Sequence, residues 1–225
     1  MPDLSRRKVL GLMGLAPAAG GLMSAGVMGA TRSDKPDAKP DSAPSTPDLL
    51  AASRAAREKI RLKYLPNVTL YNQDKKRVLF YDDLVKNKVV TLNFFYAKCE
   101  GVCPAVTANM VKVQKLLGNR VGRDLFMYSF TLKPEEDGPA ELKEYQQMHE
   151  IGPGWSLLTG KAADIELLRK SLGFTYPDPR IDKDKSQHIG NIRYGNEPLM
   201  LWSACPGMAH AQWIAESISW VIRSS

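Results

Sequence analysis

The chain has 225 residues, with 31 Lys and Arg against 24 Asp and Glu, a formal net charge of +7, and only three cysteines. Once its first third is read for targeting and linker features, the remainder is the size of one ordinary domain with one core. The basic residues are spread along the chain without a dense Lys/Arg run interleaved with aromatics, which speaks against a nucleic-acid partner.

Arg6-Arg7-Lys8 precedes a stretch from Val9 to Ala30 that carries no charge. Residues 1–30 therefore read as an export signal, and Ser5-Arg6-Arg7 with Leu10 resembles a twin-arginine signal in which Val9 replaces the usual aromatic. Glycine and alanine dilute the apolar run and weaken its transfer into lipid relative to a Leu/Ile-rich span. No clean small-x-small cleavage site stands out, so a retained anchor stays open beside cleavage. The expected location is the periplasm, free or membrane-anchored. Thiols tend to oxidise there, so closely spaced cysteines that work as thiols need a reductant or a bound metal.

Residues 31–48, TRSDKPDAKPDSAPSTPD, hold almost nothing that can be buried and read as an extended tether. The domain is expected over 49–225. It begins with an arm helix in LLAASRAAREKIRLKYLP, whose Arg54, Arg57 and Arg61 face solvent or touch anionic lipid. VTLYN and RVLFYDDL around NQDKK predict an N-terminal hairpin. VVTLNFFY reads as a strand buried on both faces. PAVTANMVKVQKLLG opens with Pro104, ends in glycine and aligns Val106, Met110, Val113 and Leu117 on one helical face. LFMYSFTL, PAELKEYQQMHE, WSLLTG and KAADIELLRKSLG alternate strand and helix. HIGNIRYGNEPLMLW reads as two strands joined around Gly195-Asn196, and AHAQWIAESISWVI as a closing amphipathic helix. The fold class is α/β, a mixed central sheet covered by helices on both faces, in the order of a thioredoxin-like fold.

Cys99 and Cys103 stand where the apolar strand meets the helix, near the positive end of the helix dipole and beside Lys98, a setting that favours thiolate. Their i, i+4 spacing brings both sulfurs to one side if the loop turns like the start of a helix. A redox pair, a staple and a seat for soft Cu(I) or Zn all remain open, and a copper that also visits Cu(II) gains from an imidazole. Of three histidines, His149 reads as a solvated helix residue and His210 as a helix-capping one. His188 follows the polar loop GFTYPDPRIDKDKSQ at a strand entrance, where such sheets carry chemistry. Cys205, in WSACPGM, reads as a small buried thiol, and the flanking Met200 and Met208 as packing residues rather than thioether ligands.

With these residues assembled, the chain from about Pro66 to its C-terminus resembles the Sco/SenC family, exported thioredoxin-like proteins implicated in copper assembly of cytochrome oxidase. The resemblance is carried by the apolar strand leading into Cys99-Glu-Gly-Val-Cys103-Pro104, by SFTLKPEEDGPAELKEY with Pro134, Glu135 and Asp137, by WSLLTG, and by the late His188. It implies that Cys99, Cys103 and His188 are copper ligands for Cu(I), Cu(II) or both. The implied role is a metallochaperone rather than an enzyme, with a copper-accepting respiratory enzyme such as a cytochrome oxidase subunit as partner. Two departures bear on metal affinity or docking: Lys133-Pro134 stands where the family has Asp-Pro, and Gln187 where it has an acidic residue before the histidine.

A second class of function uses the same sulfurs. In a thiol-disulfide oxidoreductase acting on an exported partner, Cys99 attacks and Cys103 resolves. A structural disulfide ranks below both, since closing so short a loop removes little unfolded-chain entropy.

Overall fold

The computed structural model describes residues 45–184 and 190–223. The expected signal lies outside the described residues, as does the tether up to residue 44. The last part of the segment read as tether is helical. Helix α1 runs Thr46–Tyr64, because Ser45 and Asp48 close a reciprocal capping box and Pro47 occupies the first turn.

The chain then forms β1 (Thr69–Asn72) and β2 (Arg77–Leu79), an antiparallel hairpin. Its turn is built by the Asn72 side chain, which accepts from the N–H groups of Asp74 and Lys76 at 3.0 and 2.8 Å. The second strand is shorter than RVLFYDDL suggests. Phe80–Val85 curls into a wide helical turn, with Phe80, Leu84 and Val85 buried and the Asp83 carboxylate accepting from Leu79 N–H at 2.7 Å. The local side-chain bond outweighs strand propensity there.

Next come β3 (Val89–Phe95), α2 (Cys103–Leu117), β4 (Phe126–Thr131), α3 (Pro139–Met148), β5 (Trp155–Gly160) and α4 (Ala162–Ser171). They are followed by α5 (Pro179–Lys183), β6 (Asn191–Asn196), β7 (Leu201–Pro206) and α6 (Ala211–Arg223). The short α5, capped by the Asp178 side chain, falls inside the segment read as a polar loop. The last hairpin also differs from expectation. Gly195 and Asn196 pair inside β6, and the turn is Glu197–Met200, with Met200 at φ 52°. Gly195 is there because the Trp202 indole lies over it, while Asn196 is held by donating to Val221 O at 2.9 Å.

The sheet order is β2-β1-β5-β4-β3-β6-β7. β3, β4 and β5 are parallel; β6, β7 and the first hairpin run antiparallel to their neighbours. All seven residues of β3 are buried, as a central strand covered on both sides requires. The steps β3–α2–β4 and β4–α3–β5 move in the same direction, so right-handed crossovers place α2 and α3 on one face. Thr107 and Tyr145 join them by a hydrogen bond of 2.8 Å, and α6 packs on α2. On that face Phe95 meets Tyr145. On the other, Phe94 stacks with Phe130 and Phe174. The polar Asn93 and Ser129 in the central strands are satisfied by a short chain in which the Trp155 indole donates to Ser129 at 2.8 Å and Ser129 to Asn93 at 2.6 Å. The expected thioredoxin-like arrangement is the one observed.

Candidate functional site

The site lies where β3 hands over to α2. β3 stops at Phe95, and a tight turn through Ala97 and Lys98 closes with Cys99 N–H donating to Tyr96 O at 3.2 Å. Cys103 is the first residue of α2, followed at once by Pro104, whose fixed φ suits a first helical turn and whose missing N–H costs no helical bond there. Both thiols therefore sit at the positive end of a 15-residue helix. Neither is in a disulfide and both are buried, Cys99 7% exposed and Cys103 2%.

Their protonation preferences are opposite. Burial opposes ionisation of Cys99, but donors outweigh it: the Cys103 thiol, the Tyr96 hydroxyl and the backbone N–H groups of Cys103 and Gly101 lower its pKa. The Gly101 N–H stands 3.4 Å from Cys99 Sγ. Cys103 is held up, by burial first and then by the neighbouring Cys99 sulfur. The pair is thus biased in opposite directions, Cys99 toward thiolate and Cys103 toward thiol, and the two share a hydrogen bond, the sulfurs on one side of the loop as their spacing predicts. Such a pair can lose its second proton to a soft cation or close a disulfide.

Tyr96 is the functional residue that sequence reasoning missed. Its hydroxyl bonds Cys99, and that bond, with burial behind it, raises the phenol pKa. Its position directly between the apolar strand and the cysteines was the available signal. Over its ring, at 4.7 Å, stands the ammonium of Lys133, which also pairs with Glu136 at 3.3 Å. The departure at Lys133 therefore puts a cation beside the phenol that supports Cys99. Lys98 is exposed next to the thiol. Asp137 is buried, and its carboxylate accepts from Ala97 N–H and Thr131 Oγ1, tying the turn before Cys99 to the loop between β4 and α3.

His188 lies outside the described residues. Both flanks of its segment are described, and the later one packs against the cysteine loop. Asp184, before it, contributes a Coulombic push on the Tyr96 phenol. Gly190, after it, is packed so closely that a methyl there would stand 3.3 Å from Val102 Cγ2 and 3.4 Å from Val106 Cγ2. The backbone carbonyl of Gly190 accepts from Gly207 N–H at 2.8 Å.

The other candidates are elsewhere. His149 is less solvated than expected: it stacks on Tyr145 with ring centroids 4.1 Å apart, and burial lowers its pKa. His210 precedes α6 and is exposed. Cys205 is a buried thiol whose pKa burial pushes up to about 11. Met208 is exposed, and Met200 lies at the far turn of the last hairpin. Among the described residues no three His, Cys, Asp or Glu side chains form a metal-holding group. No helix among them is long and apolar enough to cross a membrane.

The SCO1/SenC family model matches residues 62–197, well over half of the chain and the whole stretch from the end of α1 through β6. The chain belongs to the SCO1/SenC family. A curated relative, the SCO1 protein homolog of Bacillus subtilis, is 34% identical over 93 residues, covering 41% of this chain and 47% of that protein. The chain thus matches about half the length of that relative. A SCO1/SenC family lipoprotein from Bacillus anthracis has a solved structure similar to this one at a TM-score of 0.58 and 27% identity, covering 71% of this chain and 96% of that one. The ScoI structure of Bradyrhizobium japonicum, solved with copper bound, matches at a TM-score of 0.55 and 22% identity over 68% of this chain and 96% of that one, a likeness of fold. The SCO1/SenC fold seen here is thioredoxin-like, with the Cys-x3-Cys pair on the loop between β3 and α2.

Proposed function

We propose that this SCO1/SenC protein is a copper metallochaperone: Cys99 and Cys103 hold the metal as thiolates, His188 completes the site, and copper passes by ligand exchange to a respiratory copper enzyme such as a cytochrome oxidase subunit. The observation that carries this reading is the packing of Gly190, just after His188, against the helix turn that begins at the buried sulfurs. His188 is two residues from Gly190, a span of at most about 7 Å of extended chain, and Gly190 lies against the helix turn that begins at Cys103. Family membership supports copper as the cargo, since members have been solved with copper bound. Two thiolates select Cu(I), and an added imidazole accommodates Cu(II). Three ligands leave a face open for the acceptor.

Residues 1–30 serve as the export signal or anchor, and the segment after them spaces the domain at residues 49–225 from the membrane, facing the periplasm. The lipoprotein character of the Bacillus anthracis relative is consistent with a tethered mode of action.

Anaerobic titration of the reduced chain with Cu(I) and then Cu(II), recording stoichiometry and sulfur-to-copper charge-transfer bands, tests the assignment. One equivalent with thiolate bands is expected; Cys99→Ser and Cys103→Ser should abolish tight binding, and His188→Ala should weaken it. Unchanged copper affinity in all three variants would overturn the proposal.

The split protonation of the two sulfurs favours a second reading, thiol-disulfide exchange on an exported partner, with Cys99 attacking and Cys103 resolving. Cys103→Ser should then trap the partner as a mixed disulfide through Cys99. Inertness of the reduced chain toward disulfide substrates would remove this activity and leave the copper reading standing.

A further inference from the structure

On the sheet face opposite α2, a cleft of about 220 Å³ opens between α1, the end of α4 and the last hairpin. Ile60, Tyr64, Leu172, Met200 and Trp202 line it, and Arg193 is its cation. Arg193 pairs across the sheet with Leu92, and Trp202 with Gly195, which places both side chains on this face.

Two glycines make room for these groups. A methyl on Gly195 would stand 2.4 Å from Cε3 of Trp202, so only glycine lets the indole lie flat on the sheet. A methyl on Gly173, at φ 70°, would stand 2.6 Å from Nη2 of Arg193. The guanidinium rests 5.6 Å from the Phe174 ring centroid and donates to Gly173 O at 3.3 Å. Among the described residues no carboxylate forms an ion pair with it. Two other guanidiniums of this domain are treated differently: Arg169 meets Glu166 and Asp182, and Arg57 meets Glu197. Burial lowers the Arg193 pKa, with no anion opposing that effect.

A half-buried fork of N–H donors facing an apolar cleft has a natural complement, an apolar body that ends in a planar anion. The volume lies below the roughly 300–1,000 Å³ of drug-sized sites, which limits the body to something like a medium-length acyl chain. We propose that this cleft binds a small amphiphilic carboxylate, its apolar body between Tyr64, Leu172 and Trp202 and its carboxylate on the Arg193 guanidinium. The site is separate from the cysteine loop, and its occupancy does not depend on copper.

The test is a titration of the reduced full chain with octanoate, and separately with octanol, following the Trp202 indole N–H by NMR with Trp202→Phe to assign the signal. Saturable octanoate binding at Trp202 is expected, at least about tenfold tighter than octanol because only the carboxylate engages the guanidinium. Arg193→Gln should remove that preference and leave octanol binding in place. Equal affinity for octanoate and octanol in the unaltered chain, or no saturable shift with octanoate, would overturn the proposal whatever the variant does. So would an Arg193→Gln chain that folds and keeps its octanoate affinity.

Discussion

The backbone N–H of Ala97 donates to the carboxylate of Asp137 at 2.9 Å, forty positions along the chain and 1% exposed. The same carboxylate accepts from Thr131 Oγ1, and Thr131 Oγ1 accepts from Lys133 N–H at 3.0 Å. The turn that carries Cys99 is thus bolted to the strand beside it by one buried anion. Asp137→Ala removes the acceptor and leaves the Ala97 N–H without its partner, so the folded state should lose about 3 kcal/mol in urea denaturation. Amide exchange at Ala97 and Cys99 should quicken more than exchange in β5, because the released segment is local.

The two thiols should be separable by alkylation. Cys99, its pKa lowered, should react with iodoacetamide below the pH at which an ordinary thiol does, and Cys103, its pKa raised, only above it. Tyr96→Phe removes one donor to the Cys99 thiolate and should move the Cys99 profile to higher pH. The linkage signs differ. The depressed Cys99 stabilises the fold increasingly as pH rises from its folded value to the ordinary thiol value. The elevated Cys103 withdraws stability as pH rises from the ordinary value toward its folded one. Denaturation of reduced Cys103→Ser should therefore show less alkaline loss than the unaltered chain.

Helix α1 has no buried residue, yet it is held to the domain. Its Arg57 reaches Glu197 at 2.6 Å and the carbonyls of Glu197 and Pro198, while Arg61 lies 4.8 Å over the Tyr81 ring. Glu197 is itself 1% exposed and also accepts from the Tyr81 hydroxyl and Asn87 N–H. Glu197→Ala should cost about 2 kcal/mol, below the figure for a wholly buried pair because Arg57 keeps contact with water. Limited trypsin digestion should then cut at Arg54 and Lys59 before any site in the sheet is touched.

These contacts mark how far the sequence could be read. Strand β3, helix α2 and the alternation through β5 and α4 were legible because apolar period and terminal proline or glycine agree with the tertiary result. The cysteine pair was legible because its place between a buried strand and a helix is itself a sequence pattern. What escaped depended on particular side-chain bonds and contacts, some to distant partners and some to near neighbours. Gly195-Asn196 imitates a hairpin turn, but Trp202 needs the bare glycine and Val221 takes the Asn196 amide. RVLFYDDL imitates a full strand, but Asp83 folds back to Leu79 N–H. Tyr96 and Asp137 act on the site through bonds that no spacing rule encodes.

Arg169 offers the sharpest stability test in the segment that leads toward His188. The residue is 5% exposed, and its guanidinium donates to both oxygens of Asp182, both oxygens of Glu166 and the carbonyl of Phe174. Asp182 in turn accepts from Tyr176 N–H at 2.8 Å, so one cation fixes the end of α4, the following loop and α5. Arg169→Met keeps much of the apolar stem but removes the guanidinium that donates to both oxygens of the mostly buried Asp182, and should cost about 3–5 kcal/mol in guanidinium denaturation. Arg169→Lys keeps the charge and loses the fork that spans three acceptors, so it should recover only part of that loss. Exchange at the Tyr176 amide should rise in both variants, more in the methionine one. If the arginine only filled space, the methionine variant would be the more stable of the two.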